Sequence, residues 1–291
     1  MSDLRQSPQY ANYLSQLGWV VEKLNGHYIY LKKIPLLGYF AKIQRVEKVD
    51  GEALKLITQK YKPFRVVVEP LTPIINTKAH YSLYHPYLPT KTLLIDISKS
   101  EKEIVAGFKK DVRRAIAKSE VINSKFETLN THNKITVFRK TWRKAVPWTR
   151  YVPSLKNLLA LKKSFGDNCL FLCHSRLPCH PRESGDPDWI PDQVGNDSKS
   201  STTSSIVFLI ANKTLYYYLA WSNKRISHTA DMYRLVWEGI KWGKSRGCTR
   251  FDFEGIYDTR FPNKSWLGFS HFKSRFGGKE ISYPGCYLLN P

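Results

Sequence analysis

Two neighbouring segments near the C-terminus decide the fold: Arg250-Phe-Asp-Phe-Glu-Gly-Ile256 and, after a short loop to Trp266, Gly268-Phe-Ser-His-Phe-Lys-Ser-Arg-Phe-Gly-Gly278. The first segment alternates aromatic and acidic residues, which predicts a strand that ends in an acid and a glycine. In the second segment the phenylalanines recur at helical spacing, which predicts a short helix that carries Phe272 and Lys273. A strand, a loop and a helix are therefore expected in the last quarter of the chain.

The predicted elements follow the order helix, antiparallel strands, helix, strand, and this order occurs twice. The first copy is predicted to contain a helix over 6–14, strands over 19–24, 28–32 and 39–45, a helix over 51–61 and a strand over 64–70. The second is predicted to contain helices over 100–119, 134–145, 154–165 and 229–246 and strands over 91–97, 168–174, 205–211, 214–221 and 250–256. Ser100 and Glu103 have the spacing of a capping box.

That repeated order is the order of the GNAT acyltransferase unit. We therefore predict an α+β fold with mixed sheets, built as two tandem GNAT-like domains. Residues 1–90 form the first domain, together with the C-terminal tail 280–291, and residues 91–279 form the second. Residues 71–91 contain several Pro, Tyr and His residues and are interpreted as a linker.

The segment 176–205 does not fit this order. A hairpin connection between the flanking apolar runs needs only a few residues. Here there are about thirty, with four prolines and a tail rich in serine and threonine. We interpret the segment as a disordered insertion at a hairpin tip that carries no chemistry; the alternative is a substrate lid.

Charge points to anionic partners. The chain has 46 lysines and arginines against 24 acidic residues, a net charge of +22. A field of this sign attracts nucleic acid, diphosphates or an anionic membrane surface. The basic face of the helix predicted over 100–119 is a candidate patch for tRNA or lipid headgroups, although most charged helix faces are merely solvated.

The sequence contains neither a recognisable secretory signal nor an apolar run of membrane-spanning length. Its five cysteines are scattered, which indicates reduced thiols. We expect a cytoplasmic protein, with peripheral contact to the inner membrane leaflet at most. The pairs Cys173-His174 and Cys179-His180 suggest zinc, but no matched second ligand pair in a rigid knuckle is visible, so no metal is expected.

The C-terminal segments resemble the signature of the Fem-type (FemABX) peptidoglycan interpeptide-bridge aminoacyltransferases. The resemblance covers nearly the whole chain outside 176–205. It implies two GNAT-like domains, here without a coiled-coil arm. It also implies transfer of an amino acid from aminoacyl-tRNA to an amine on the stem peptide of lipid II or UDP-MurNAc-pentapeptide. The aminoacyl ester is already activated, so no cofactor besides this co-substrate is expected. We expect a monomer.

The resemblance also implies roles for individual residues. Lys273 would stabilise the oxyanion that forms during the transfer, and the backbone beside Phe272 would help to position the ester. Glu69, at the end of a predicted strand, would accept the proton of the amine or orient the amine. The residues alone favour a surface lysine on an amphipathic helix for Lys273, and they allow an ordinary exposed acid at a strand end for Glu69.

Three further residues are candidates for substrate binding. Lys23 matches a lysine that binds the nucleotide or diphosphate end of the acceptor, and Arg150 an arginine that contacts the acceptor. Trp266 precedes the last helix and is the third candidate. Two tyrosines of the family are not reproduced, since Leu219 stands at one position and residue 155 or 156 at the other. These departures affect the acceptor more than the reaction.

Two functions outside this family are the alternatives. The first is an N-acyltransferase of the same fold that uses acyl-CoA. The loop that would cradle the CoA pyrophosphate reads Ser222-Asn-Lys-Arg-Ile-Ser-His228 and has no glycine, which argues against it. The second is a non-catalytic nucleic-acid-binding protein, which would need a continuous basic groove and would be indifferent to Lys273.

Overall fold

The structure is a computed structural model that describes residues 3–74, 81–118, 124–176, 201–223 and 225–289. Its first sheet contains six strands: β1 (Val20–Leu24), β2 (His27–Ile34), β3 (Gly38–Gln44), β4 (Arg65–Glu69), β5 (Tyr81–Tyr84) and β13 (Cys286–Leu289), in the spatial order β1-β2-β3-β4-β13-β5. The β3–β4 pair is parallel, and the other neighbours are antiparallel.

Two helices cover this sheet. Helix α1 (Pro8–Gln16) starts after Ser7, whose side chain caps it. Helix α2 (Gly51–Tyr61) has the bounds expected from the sequence and buries Ala53, Leu54 and Ile57. These three residues pack against the apolar face of the first sheet, which forms a core of its own.

The second sheet has seven strands: β6 (Lys91–Asp96), β7 (Ser124–Thr128), β8 (Cys169–Arg176), β9 (Ser201–Ala211), β10 (Thr214–Ser222), β11 (Arg250–Asp252) and β12 (Lys279–Ser282), in the order β12-β6-β11-β10-β9-β8-β7. Of these neighbouring pairs, β10–β11 is parallel and the others are antiparallel. The remaining helices are α3 (Glu101–Ala106), α4 (Lys110–Ala117), α5 (His132–Ala145), α6 (Leu155–Phe165), α7 (Thr229–Ser245) and α8 (Leu267–Ser274). The predicted α+β class with two mixed sheets is confirmed.

The single helix expected over 100–119 is wrong, because two helices occupy this range. Its predicted capping box, Ser100 with Glu103, is present. Gly107 ends α3, and the amide of Lys109 donates to the carbonyl of Arg275 at 2.8 Å. Since that amide is engaged outside the helix, the helical hydrogen-bond ladder is interrupted and α4 starts afresh.

Two connections also differ from expectation. The linker predicted over 71–91 contains strand β5. Residues 201–205, assigned to the insertion, form the start of β9 and pair with the end of β8. Residues 177–200, the rest of that insertion, lie outside the described residues.

The C-terminal tail connects the two sheets. Strand β12 pairs with β6 in the second sheet, and β13 then enters the first sheet between β4 and β5. The tail predicted to accompany the first domain is thus divided between the sheets, and the domain boundaries stay a prediction. Within the described ranges, no helix is long and apolar enough to cross a membrane.

Candidate active site

A cavity of about 430 Å³ lies beside the loop that connects β5 of the first sheet to β6 of the second. It is lined by Arg5, residues 85–90, Tyr218, Leu219, residues 254–258, Phe261, Asn263, Trp266, Phe269 and Lys273. The loop before β6, the bulged strand β10 and the α8 region therefore all contribute to its wall. A volume of this size is typical of small-molecule pockets.

Lys273 is buried in the wall of this cavity, with only 6% of its surface exposed. Its Nζ atom donates to the carbonyl oxygens of Phe253 at 2.8 Å and Gly255 at 2.6 Å. A protonated lysine has three N–H donors, and no third acceptor for Lys273 is found within the described part of the chain. Burial lowers the pKa of Lys273 from 10.5 to about 8, so the side chain remains mostly charged at neutral pH.

A tight turn after β11 supplies the two carbonyls. Glu254 and Gly255 have positive φ angles of 58° and 124°, so the strand stops at Asp252 and the strand predicted over 250–256 is wrong in its second half. A Cβ atom on residue 255 would lie 2.6 Å from the Cβ of Pro89 and 3.1 Å from the ring of Trp266. Only glycine fits this position, because both the φ angle and the packing exclude a side chain.

An ion pair joins the N-terminal segment to this turn. Arg5 donates two hydrogen bonds to the carboxylate of Glu254, and both side chains are almost fully buried. The amide of Leu4 donates to the hydroxyl of Tyr216 at 3.1 Å, and the hydroxyl of Tyr30 donates to the carbonyl of Arg5. The N-terminal segment is therefore fastened to both sheets beside the cavity.

Asp252 lies immediately behind the turn and does not line the cavity. It accepts hydrogen bonds from the hydroxyl of Thr92 at 2.6 Å and from the amide of Glu254 at 2.7 Å. Burial, with a smaller contribution from the charge of Glu254, raises the pKa of Asp252 to about 7. Because β11 ends at Asp252 and the chain then turns, Glu254 does not continue the strand that carries Asp252.

Phe272 belongs to the core, whereas its neighbour Lys273 lines the cavity. The ring of Phe272 stacks on Tyr233, with centroids 5.2 Å apart and an angle of 5° between the planes. It also contacts Phe276 at 5.6 Å. Phe272 is not among the residues that line the cavity, and its predicted role in positioning the ester stays a prediction.

Glu69 is 2% exposed and is not among the residues that line the cavity. Its carboxylate accepts hydrogen bonds from the amides of Tyr87 at 2.8 Å and Leu88 at 2.7 Å, and from the side-chain amide of Gln44 at 2.6 Å. Tyr87 and Leu88 do line the cavity. Glu69 therefore holds one wall of the cavity in place from behind.

The three predicted substrate-binding residues are not brought together. Trp266 lines the cavity and packs on Phe269 at 5.2 Å. Lys23 is exposed on β1, with its Nζ 5.3 Å from the centroid of the Tyr28 ring. Arg150 is exposed in the loop between α5 and α6. Lys23 and Arg150 lie outside the cavity lining, and their assignment stays a prediction.

Arg5 and Tyr218 are site residues that sequence reasoning missed. Arg5 is one basic residue among many, and its partner lies 249 positions away, so no local signal marks it. Tyr218 stands at the irregularity in the pairing of β10 with β9, next to Leu219. Burial raises its pKa above the ordinary value of tyrosine. Among the described residues, no cluster of three His, Cys, Asp or Glu side chains is suited to a metal ion.

Comparisons with known proteins agree with this architecture. Residues 192–291 match the model of the FemAB family, which confirms the resemblance predicted from the sequence. The chain is similar to the crystal structure of FemX, with a TM-score of 0.75 at 12% identity over 99% of this chain and 92% of that one. No curated protein matches the chain.

Two further solved structures share the fold. The structure of L-PGS from Bacillus licheniformis has a TM-score of 0.58 at 10% identity over 96% of this chain and 86% of that one. The C-terminal domain of a putative lysylphosphatidylglycerol synthetase from Agrobacterium fabrum has a TM-score of 0.59 at 12% identity over 98% and 88%. At such identities the similarity shows a common fold.

Proposed function

We propose that the protein is an aminoacyltransferase that moves an amino acid from aminoacyl-tRNA to an amine on the stem peptide of a peptidoglycan precursor. The FemAB match and the fold both support an acyltransferase. The observation that carries the finer proposal is Lys273, a buried cation fixed by two backbone carbonyls in the wall of the cavity.

The reaction exchanges one acyl bond for another. The amine nitrogen attacks the ester carbonyl, a C–N bond forms, and the bond from the carbonyl carbon to the ribose oxygen of the tRNA breaks. The proton released by the amine ends on that ribose oxygen, so no other reactant is consumed. Negative charge develops on the carbonyl oxygen in the tetrahedral intermediate, and a preorganised cation stabilises it.

Lys273 suits this role because its position is determined before substrate binds. Two of its N–H groups are engaged by Phe253 and Gly255, which leaves one donor for an oxyanion in the cavity. Its low exposure means that little water competes with the substrate oxygen, and an electrostatic contact of this kind is stronger in such surroundings than in water.

The other predicted residues would position the substrates. Glu69 acts through the wall formed by Tyr87 and Leu88, since one of its oxygens accepts from their backbone amides and the other from the side-chain amide of Gln44. Trp266, which lines the cavity, offers an aromatic surface to the substrate. The acceptors proposed from the sequence are lipid II and UDP-MurNAc-pentapeptide, with Lys23 as a contact to their nucleotide or diphosphate end and Arg150 as a further contact to the acceptor.

The test is a transfer assay with a total pool of charged tRNA carrying radiolabelled amino acids. Lipid II, UDP-MurNAc-pentapeptide and phosphatidylglycerol are offered separately as acceptors, and acyl-CoA is offered as a competing donor. We expect RNase-sensitive transfer to a peptidoglycan precursor. Transfer only from acyl-CoA, or only to phosphatidylglycerol, would contradict the proposal.

Two variants make the test specific. Lys273→Met removes the charge with little change in volume, and a loss of at least about a hundredfold in rate is expected if the lysine acts on the oxyanion. Lys55→Met is the matched control, because Lys55 is exposed on α2 away from the cavity. Equal rates for Lys273→Met and Lys55→Met would remove Lys273 from the reaction.

A further inference from the structure

An exposed apolar turn projects from the first sheet. Strands β2 and β3 are joined by Pro35, Leu36 and Leu37, and the two leucines are 106% and 61% exposed. Adjacent leucines at such exposure are unusual on a protein surface that contacts only water. The turn therefore exposes two large apolar side chains to solvent.

The backbone conformation of this turn disfavours a leucine at position 36. The amide of Leu37 donates to the carbonyl of Ile34 at 3.2 Å, and Leu36 has a φ angle of 67°. A proline followed by a residue with positive φ is the pattern of a type II turn, where glycine or asparagine is normally found. A leucine here strains the backbone, so folding alone does not explain its presence.

The strand that follows the turn carries an aromatic ring that belongs to a cluster at the cavity. Phe40, at the start of β3, has its ring 6.4 Å from Phe64 and 6.0 Å from Tyr87. Phe64 and Tyr87 are 40% and 53% exposed, and Tyr87 also lines the cavity. We call the surface formed by Leu36, Leu37, Phe64 and Tyr87 the docking face.

Basic residues predominate in the chain around the docking face, where the acid Glu22 is paired with Lys60. The segments at the face are 17–20, 32–42, 60–68 and 85–91, and together they contain lysines and an arginine but no acidic residue. Lys33 and Lys62 are exposed in these segments. Exposed leucines and aromatic rings surrounded by cations match the chemistry of an anionic lipid surface, which offers apolar chains beneath negative headgroups.

We propose that the docking face binds an anionic lipid bilayer, with Leu36 and Leu37 inserted among the acyl chains and Lys33 and Lys62 at the headgroups. The binding itself is independent of the reaction. Its consequence, delivery of a lipid-linked acceptor to the cavity past Tyr87, rests on the proposed function. A second copy of the chain is a poorer partner for this face, because it would oppose lysine to lysine.

The test is flotation of the full-length protein with vesicles of phosphatidylcholine alone or mixed with phosphatidylglycerol. Binding is expected to the mixed vesicles and to weaken with salt. Leu36→Asp/Leu37→Asp should lower the partition coefficient at least about tenfold through lost insertion. Lys33→Gln/Lys62→Gln should lower it about 25-fold, at roughly fivefold for each lysine near the surface.

Control variants separate docking from misfolding. Leu56→Asp introduces the same change at a leucine that is 55% exposed on α2, and it should bind like the wild type. Leu36→Gly/Leu37→Ser keeps the turn without strain and should still lose binding. The inference is overturned if the wild type ignores anionic vesicles or if the leucine variants bind as it does. A dimer by light scattering that dissociates in those variants would equally overturn it.

The transfer assay then distinguishes this inference from the proposed function. The leucine variants should lose transfer to vesicle-borne lipid II and retain transfer to UDP-MurNAc-pentapeptide in solution. If the leucine variants lose vesicle binding but the wild type transfers no amino acid to either acceptor, the reaction is refuted and the docking face stands. Normal transfer with no vesicle binding would refute the docking face alone.

Discussion

Replacing Lys273 with methionine should change how the stability of the protein depends on pH. The side chain is 6% exposed, and burial lowers its pKa to about 8 against 10.5 for an ordinary lysine. In the unfolded chain the lysine regains the ordinary value. Between these two pKa values the unfolded state therefore binds more protons than the folded state.

The sign of the effect follows from this difference. When the unfolded state binds more protons, the free energy of unfolding rises as pH rises. The buried charge thus costs stability below pH 8, and the cost declines between pH 8 and 10.5. From pH 7 to pH 9.5 the wild type should gain about 2 kcal/mol relative to Lys273→Met.

Urea unfolding of both proteins at several pH values measures this gain. Lys42, whose pKa burial also lowers to about 8, titrates in both proteins and cancels in the difference. The exposed control Lys55→Met should show no pH-dependent difference from the wild type. If the difference in free energy of unfolding between the wild type and Lys273→Met does not change with pH, Lys273 is not a buried titrating cation. Its proposed role as a preorganised charge in the site is then refuted.

The same titration should appear in the rate. If charged Lys273 stabilises the oxyanion, kcat/KM for a precursor falls as pH rises through about 8, because the neutral amine cannot supply the charge. The residual rate of Lys273→Met should lack this falling limb. A falling limb that persists in the variant would assign it to another group.

Three further changes test the surroundings of the site. Asp252→Asn should stabilise the protein by up to about 4 kcal/mol at pH 8 in urea unfolding, because the buried, charged form of Asp252 destabilises the folded state. The gain should vanish towards pH 4, where Asp252 is protonated in the folded state. Gly255→Ala should cost about 3 kcal/mol by the same measurement, because the new methyl group meets Pro89 at a positive φ angle; an unchanged midpoint would contradict the tight packing of this turn. Leu36→Gly should raise stability by about 1 kcal/mol while weakening vesicle binding, so a fall in the melting temperature would refute strain at that turn.

Elements determined by local pattern could be predicted from the sequence. Helix α2 has the bounds 51–61 that the sequence predicts, since Asp50 caps its start and Lys62 ends it in the left-handed region. The capping box of Ser100 and Glu103 is another local signal that the structure reproduces. In such cases the residues that specify the element lie within a few positions of each other.

Elements determined by distant contacts could not be predicted. Helix α3 stops because the amide of Lys109 is engaged by Arg275, which is 166 positions later in the sequence. Strand β11 ends early because the turn at Glu254 and Gly255 packs against Pro89 and is held by Arg5. Nothing in the local sequence of either segment indicates those partners, so the period of the apolar residues suggests longer elements.

The candidate site shows the same division. The helical spacing around Lys273 is compatible with an exposed or a functional lysine, and burial against two carbonyls excludes only the exposed one. The resemblance implies that Glu69, at a strand end, accepts the proton of the amine or orients the amine. In the structure its carboxylate lies behind the cavity wall, because the backbone amides of Tyr87 and Leu88 donate to it, and its role stays a prediction. Orientation of a polar side chain at a strand end depends on the chain that covers it.

The end of β11 and the segments that follow it concentrate features that oppose stability. They contain a buried lysine, an aspartate whose charge is disfavoured by burial, and a glutamate with a positive φ angle. Each departs from what the fold alone would select, and such departures are expected where a site must be preorganised for charge that develops during a reaction. Asp252 and Glu254 lie in or next to the turn whose carbonyls hold Lys273. A sequence selected only for stability should therefore replace all three residues. Asp252→Asn is therefore expected to leave the turn in place and to alter the charge around Lys273. Its transfer rate is the most direct measure of whether the stability lost through a charged Asp252 serves the reaction.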